Sequence, residues 1–386
     1  MSIWIRLLLC ALVSGCASTA PREALAPLFA DALFAAPKVE VSADHIFELS
    51  PAMRQHLASE IAPAVRAKGP QQGLIDALYA GGRHLLEYDS ALTRSAAQAF
   101  DARAGNCLSL VIMTAAFARE LRLEVRFQQV TIDETFGRRG DLVLAFGHIN
   151  LALGRLPSVS AFTSAASTAS DWMTIDFLPP RDSRGLRYQA VGDATVRSMF
   201  LNNRAAEALV QGEVDDAYWW ARAAVLADRG FAPAYNTLAV VYQRRGHLAP
   251  AEQVLRRLLA RRGDDVNALS NLIGVLKQQG RSDEAGQLAL QLQQLQPTPP
   301  FAWLDQGLQA LREGNPQRAR ELLQKEVDRD PDYHESNFWL AVAHLQLGNP
   351  VRARQHLERA RDNSLTRDDQ ALYTSKLARL KAQTLR

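Results

Sequence analysis

Five glycines recur at one interval. Gly212, Gly246, Gly280, Gly314 and Gly348 stand 34 residues apart, and five residues after each comes an alanine: Ala217, Ala251, Ala285, Ala319 and Ala353. A unit of this length is one supersecondary block that cannot bury its apolar face alone, so the units must stack on their neighbours into an elongated array. The glycine reads as the turn between two helices and the alanine as the small residue where they cross. Tyr235, Leu238, Ala239 and Tyr242, then Trp303, Gly307 and Ala310, supply the contacts of the first helices, and Pro297 and Pro331 end two units. The first unit departs from the pattern: Arg204 stands at an expected apolar position and Arg229 where a terminal proline is expected. The spacing predicts five units within 196–367 and a solvating cap helix over 368–386.

This period and its turn chemistry resemble tetratricopeptide repeats. The resemblance implies an all-α solenoid with a concave groove lined by first-helix side chains, and hence a protein partner. Asn202, Asn236, Asn267, Ser270 and Asn271 are candidates to hydrogen-bond an extended peptide, and Phe338 and Trp339 to take apolar side chains; helix capping and inter-repeat packing account for each equally well. Trp219 and Trp220 read as core or interdomain packing residues.

At 386 residues the chain has room for at least one further domain. The net charge is +3 with both signs interspersed, so nucleic-acid binding is not suggested. Residues 1–16 combine Arg6 with an apolar run too short to span a bilayer. Their end, Leu12-Val13-Ser14-Gly15-Cys16, resembles the bacterial lipoprotein signal box. That resemblance implies removal of residues 1–15, lipidation of Cys16 and a membrane anchor of several acyl chains. With Ala17 following, it implies the periplasmic face of the outer membrane. An ordinary cleaved signal or a cytosolic apolar start are the alternatives. A tether and an N-terminal helix are expected over 17–38, the helix occupying 23–36.

Of the three cysteines, Cys10 would be discarded and Cys16 lipidated, leaving Cys107 as the one free thiol. No intramolecular disulfide is then possible, and an unpaired thiol in an oxidising compartment favours a reactive role. Gly105 and Asn106 break the preceding helix. Apolar residues from Leu108 (Val111, Ile112, Ala115, Ala116) then fall at helical spacing, so a buried helix begins at or just after the cysteine. A thiol there meets unpaired N–H groups and the positive end of the helix dipole, which favour thiolate. Upstream, helices are expected from Ser50-Pro51 to about Ala67, from Gln72 to Tyr88 and from Ala91 to Ala102. Downstream the period changes to alternation. Strands are expected over 123–132, 141–153 and 172–177, with a turn at Phe136–Gly140 and a loop over 157–170. Helices followed by an antiparallel meander make an α+β domain over 39–195.

Cys107, His148 and Asp176, in that order and on those elements, resemble the transglutaminase-like branch of papain-type cysteine enzymes over residues 85–180, with Arg103-Ala-Gly-Asn-Cys-Leu-Ser as the most specific stretch. The resemblance implies a Cys107 nucleophile, His148 as general base and acid, Asp176 orienting the imidazole, and acyl transfer on protein or peptide amides. Hydrolysis is favoured over cross-linking. His148 is the only histidine between Cys107 and the repeats; on its strand it shares a face with Asn150 and Ala152. Asp171 or Asp182 could stand in for Asp176. The oxyanion hole would draw on the Cys107 N–H and an upstream donor, with Gln98 and Tyr88 as candidates. No cofactor is called for, and the scattered histidines lack metal-ligand spacing. A catalytically inactive peptide-binding scaffold of the cell envelope is the alternative function.

Overall fold

The computed structural model describes residues 28–80, 87–89, 92–139, 142–155, 172–177, 187–364 and 367–384. Cys16 and the expected signal box, the loop over 157–170, Asp171 and Asp182 lie outside them. Among the described residues no helix is long and apolar enough to cross a membrane.

Of the α-helix expected over 23–36, residues 23–27 lie outside the described ones, and the described 28–36 form no α-helix but an irregular segment with a 3-10 turn at Asp31–Leu33. Its polar groups are taken by the repeats instead of by each other. The Tyr242 hydroxyl donates to the Leu28 carbonyl and accepts from the Ala30 N–H (2.9 Å each). Asp31 accepts from Tyr218 (2.5 Å) and Arg222 (3.0 Å), and the Phe34 ring stacks on Tyr218 at 3.9 Å.

Helices α1 (Pro51–His56) and α2 (Ala62–Lys68) run on through a π-turn at Leu57–Ile61. Ser50 caps the start by accepting the Met53 N–H, with proline in the first turn. Helix α3 (Pro70–Ile75) continues through a π-turn to Ala80, and Tyr88, expected as the end of this helix, is not helical. Glu87–Tyr88 form β1 instead, paired in parallel with β2 (Ala104–Gly105). Helix α4 (Ala96–Ala102) starts later than expected because Ser95 and Gln98 close a capping box. Helix α5 (Cys107–Glu120) follows, capped by Asn106 and buried from Leu108 through Ala118.

One antiparallel sheet comes next, in the order β5-β4-β3-β6, from β3 (Leu123–Arg139), β4 (Leu142–Arg155), β5 (Met173–Ile175) and β6 (Arg187–Val191). Strand β6 was not anticipated. Nor was the reach of β3: Phe136–Arg139, expected as a turn, is strand, so β3 and β4 form a long hairpin. Its pairing slips between Val130 (opposite His148) and Thr135 (opposite Phe146), and this irregularity separates the sheet proper from a protruding arm.

Five helix pairs then stack: α6 (Asp193–Val210) with α7 (Val214–Ala227), α8 (Ala232–Arg244) with α9 (Leu248–Arg261), α10 (Val266–Gln278) with α11 (Ser282–Leu295), α12 (Ala302–Arg312) with α13 (Pro316–Arg329), and α14 (His334–Gln346) with α15 (Pro350–Asp362). Helix α16 (Arg367–Thr384) closes the array. The periodic glycines sit at φ between 73° and 84°, a region costly for residues with a Cβ. After each of them the next N–H reaches back five residues, as in Glu213 to Ala208 (2.8 Å) and Asn349 to His344 (2.8 Å), which closes a Schellman turn. All five periodic alanines are fully buried.

The core disregards the expected boundary at 195. One cluster of buried side chains runs from Leu28 through α5 and the sheet to Ala285 in the third pair. A second cluster begins at Phe301 and holds the fourth pair and the start of the fifth, and a third joins the fifth pair to α16. The interruption falls at α11, where Ala285 is the one buried residue and Leu290 (63% exposed) and Leu295 (45%) face solvent.

Gly307 of α12 lies against Leu323, and a Cβ there would come within 2.6 Å of it. Gly307→Ala is expected to destabilise the fourth pair by about 1–3 kcal/mol through overpacking, read as faster amide exchange confined to α12 and α13.

Candidate functional site

Asn106 organises the start of α5. Its Oδ1 accepts from the Ser109 N–H (2.9 Å) and hydroxyl (2.8 Å), and its Nδ2 donates to the Thr93 hydroxyl (2.8 Å). The Ser109 hydroxyl accepts from the Arg94 N–H (2.8 Å). Thr93 in turn donates its N–H to Glu207 of α6 (2.6 Å), and Glu207 pairs with Arg204 (2.6 Å), which also faces the Trp220 ring. Arg204 breaks the repeat pattern because it neutralises this carboxylate. Burial holds Glu207 above the usual carboxylate range, against the opposing bond from Thr93 and charge of Arg204. Cys107, half-buried, is the first residue of α5, so its backbone N–H is among those a helix leaves unpaired.

His148 and Asp176 meet across the sheet. The register sets Leu151 opposite Ile175, which carries Asp176, one residue past the end of β5, to a position beside Asn150. His148 Nε2 lies 2.8 and 2.9 Å from the two Asp176 oxygens, and Asn150 Nδ2 donates to the same carboxylate at 3.3 Å. His148 is 6% exposed and Asn150 1%. With Nε2 taken by Asp176, Nδ1 is the nitrogen left for sulfur. It is buried and makes no hydrogen bond, and Cys107 is among the groups that raise the ring's pKa. Burial pulls the imidazole pKa down; Asp176 and then Cys107 outweigh it, and the ring stands at about 9. At neutral pH the arrangement is an imidazolium held between a carboxylate and a sulfur.

The remaining candidates divide. Gln98 is a capping residue: its side-chain oxygen accepts the Ser95 N–H (3.0 Å) on an exposed turn. Tyr88 lies in β1, its backbone opposite Gly105, and its side chain is outside the description. Along the repeats, Asn236 donates to Asp265 (3.5 Å) and accepts from Asn271 (3.3 Å), so these two side chains bridge neighbouring repeats. Asn202 Oδ1 is buried without a partner; Asn267 is half-buried and Ser270 exposed. Phe338 packs against Tyr373 of α16 (5.3 Å), whereas Trp339 borders the second core cluster. Trp219 donates to the Ala35 carbonyl (2.6 Å) and Trp220 is buried in the main core, so both serve packing.

Sequence reasoning missed Asn106, Asn150 and Glu207. Asn106 and Ser109 have N-cap spacing, and Asn150 is two residues from His148 on the same face, so both carried a local signal. Glu207 had none beyond the anomalous Arg204 beside it.

Residues 236–300 and 304–365 match the tetratricopeptide-repeat family, and the C-terminal half is a tetratricopeptide-repeat solenoid. Two solved structures are similar to it. One, from a functional characterisation of Pseudomonas aeruginosa pilF, is 24% identical over 47% of this chain and 91% of that one, with a TM-score of 0.29. The other, a thermophilic repeat protein of Thermus thermophilus, is 18% identical over 47% and 99%, with a TM-score of 0.31. No curated protein matches the chain.

The imidazole pKa sets a pH dependence. A ring raised from 6.5 to about 9 in the folded state contributes stability in full below about pH 6.5, and that contribution is lost as pH climbs through 9. Asp176 is more than a third exposed, so solvent screening leaves about 1 kcal/mol. Unfolding free energy between pH 6.5 and 9.5 should therefore fall by that much more in the wild type than in Asp176→Asn.

Proposed function

We propose that the chain is a cysteine enzyme of the transglutaminase-like class, lipid-anchored through Cys16 at the periplasmic face of the outer membrane, whose repeats recruit a protein substrate or partner. The domain limits 39–195 and 196–367 belong to this proposal as functional divisions, although the packed core runs across the first of them. The reading is supported by the His148–Asp176 pair together with the influence of Cys107 on the same ring. Cys107 at a helix start acts on the His148 ring, and the same ring is held by Asp176 at 2.8 Å.

In this reading the Cys107 sulfur attacks an amide carbonyl, and the oxyanion meets the Cys107 N–H at the head of α5. The His148 imidazolium gives its proton to the leaving amine, which departs and leaves a thioester. Neutral His148 then takes a proton from water as water attacks, the carbon–sulfur bond breaks, and the acid leaves with the Cys107 sulfur freed and the His148 imidazolium restored. An amine in place of water would give a cross-link. Asp176 stabilises the charged ring throughout, and Asn150 holds Asp176.

The scaffold alternative is favoured by the burial of His148, 6% exposed, which restricts access to the ring. The repeats act in protein–protein interaction under either reading. Alkylation by iodoacetamide separates the two. For the enzyme, the Cys107 rate at pH 7 should drop at least tenfold in His148→Ala, and Cys107→Ser should abolish amide turnover. An unchanged rate in His148→Ala would leave the scaffold reading. Anchoring is checked by mass spectrometry of the N-terminal peptide, with acylated Cys16 expected and loss of membrane fractionation in Cys16→Ser.

A further inference from the structure

The first helices of the fourth and fifth repeats already hold a segment of this chain. The arm formed by the outer halves of β3 and β4 reaches the first helices of these repeats. Arg138 makes a bidentate pair with Asp305 of α12 (2.7 and 3.0 Å) and lies over the Phe301 ring at 4.8 Å. Its charge is further drawn by Glu335 at the start of α14. Phe136 packs into the apolar cluster that includes Phe301, Leu304 and Tyr333, where Trp339 also lies. Gly137 between them is buried. An apolar anchor followed two positions later by a forked cation is thus read by an aromatic floor and a carboxylate. Asp305 and Trp339 occupy equivalent positions of successive repeats, 34 residues apart, the periodic placement from which repeat grooves are built.

Two further observations make this contact a latch. The main core ends in the third repeat and a separate one begins at Phe301, so the arm bridges blocks that share no continuous interior. The arm is also joined directly to the candidate site. Phe146 is the last arm residue paired beyond the slip and His148 the first paired within the sheet, and Gly147 between them has open space where a side chain would project.

We propose that the groove of repeats four and five is a docking site whose resident occupant is the β3–β4 arm. A partner protein presenting an extended segment with an aromatic residue and, two positions on, an arginine would displace the arm and thereby alter the surroundings of His148. The docking half stands independently of the enzyme reading; the coupling half rests on Cys107 and His148 forming one site. An occupant tethered in the same chain acts at an effective concentration of order millimolar for a short connection. A competitor in solution sees only the fraction of open molecules, and its apparent affinity is reduced by that fraction.

The probe is a fluorescently labelled peptide of residues 135–146, titrated by anisotropy against the full chain. Arg138→Ala, which loosens the arm, should bind it at least tenfold more tightly than the wild type. Asp305→Arg should remove binding on both backgrounds. Combining Arg138→Asp with Asp305→Arg should restore the arm's own contact, read as amide-exchange protection of residues 136–139 at the wild-type level where Arg138→Ala has lost it. Equal binding by wild type and Arg138→Ala, no binding by Arg138→Ala when its circular dichroism is native, or binding indifferent to Asp305→Arg would each overturn the docking site. Saturating peptide should change the Cys107 alkylation rate of Arg138→Ala by threefold or more; an unchanged rate overturns the coupling. An alkylation rate indifferent to His148→Ala would instead remove the enzyme reading and leave the peptide titration as it stands.

Discussion

Helix α5 is buried on every side from Leu108 to Ala118, and a helix with no wet face must be enclosed by everything around it. The sheet covers it through Phe127, Leu151 and Leu153, the early helices through Met53 and Leu74, and the same cluster continues into the first repeat through Val196 and Leu201. The requirement to enclose α5 is what joins the two halves of the chain. The helix also has to start in a defined place, because buried N–H groups need acceptors. Asn106 supplies one, and the hydrogen-bonded chain through Thr93 to Glu207 ties that start to the first repeat. The position of Cys107 is therefore set by groups a hundred residues away.

The His148–Asp176 pair shows how the sheet and the site share one geometry. A strand places alternate residues on one face, so His148 and Asn150 point together, and the antiparallel register brings Asp176 to both. Burial alone would keep the imidazole neutral. The carboxylate and the sulfur reverse that, and the ring carries charge in a place with little water. Removing Asp176 would leave a buried histidine to give up its proton, which is why its role is electrostatic as well as orienting.

The repeat array is not a uniform rod. Its first three pairs belong to the main core, and its last two form separate clusters that meet the N-terminal half through the arm. Phe301, beneath Arg138, adopts a left-handed backbone (φ 61°) although it carries a bulky side chain, at a cost of about 1–2 kcal/mol. The surrounding contacts with Tyr333 and the arm hold it there. A groove of this kind presents charge and aromatic surface together, and the arm satisfies both.

What is local and periodic is legible in the order of residues alone. The left-handed turn demanded after each first helix admits glycine, and the helix crossing admits alanine, so five repeats were legible from spacing alone. The helix at Cys107 and the alternation around His148 were legible for the same reason, since period reports which face is buried. Where a residue's best partner is distant, the folded arrangement prevails over local pattern. Residues 28–36 form no α-helix because Tyr218 and Tyr242 take their polar groups; β3 continues through Phe136-Gly137-Arg138-Arg139 because the repeats receive it. The core crosses residue 195 because α5 needs both sides closed, and Gln98 serves a cap because Ser95 lies within its reach. Local patterns constrain faces and turns; which remote carboxylate, ring or hydroxyl completes each contact depends on three-dimensional proximity, and no sequence interval encodes it.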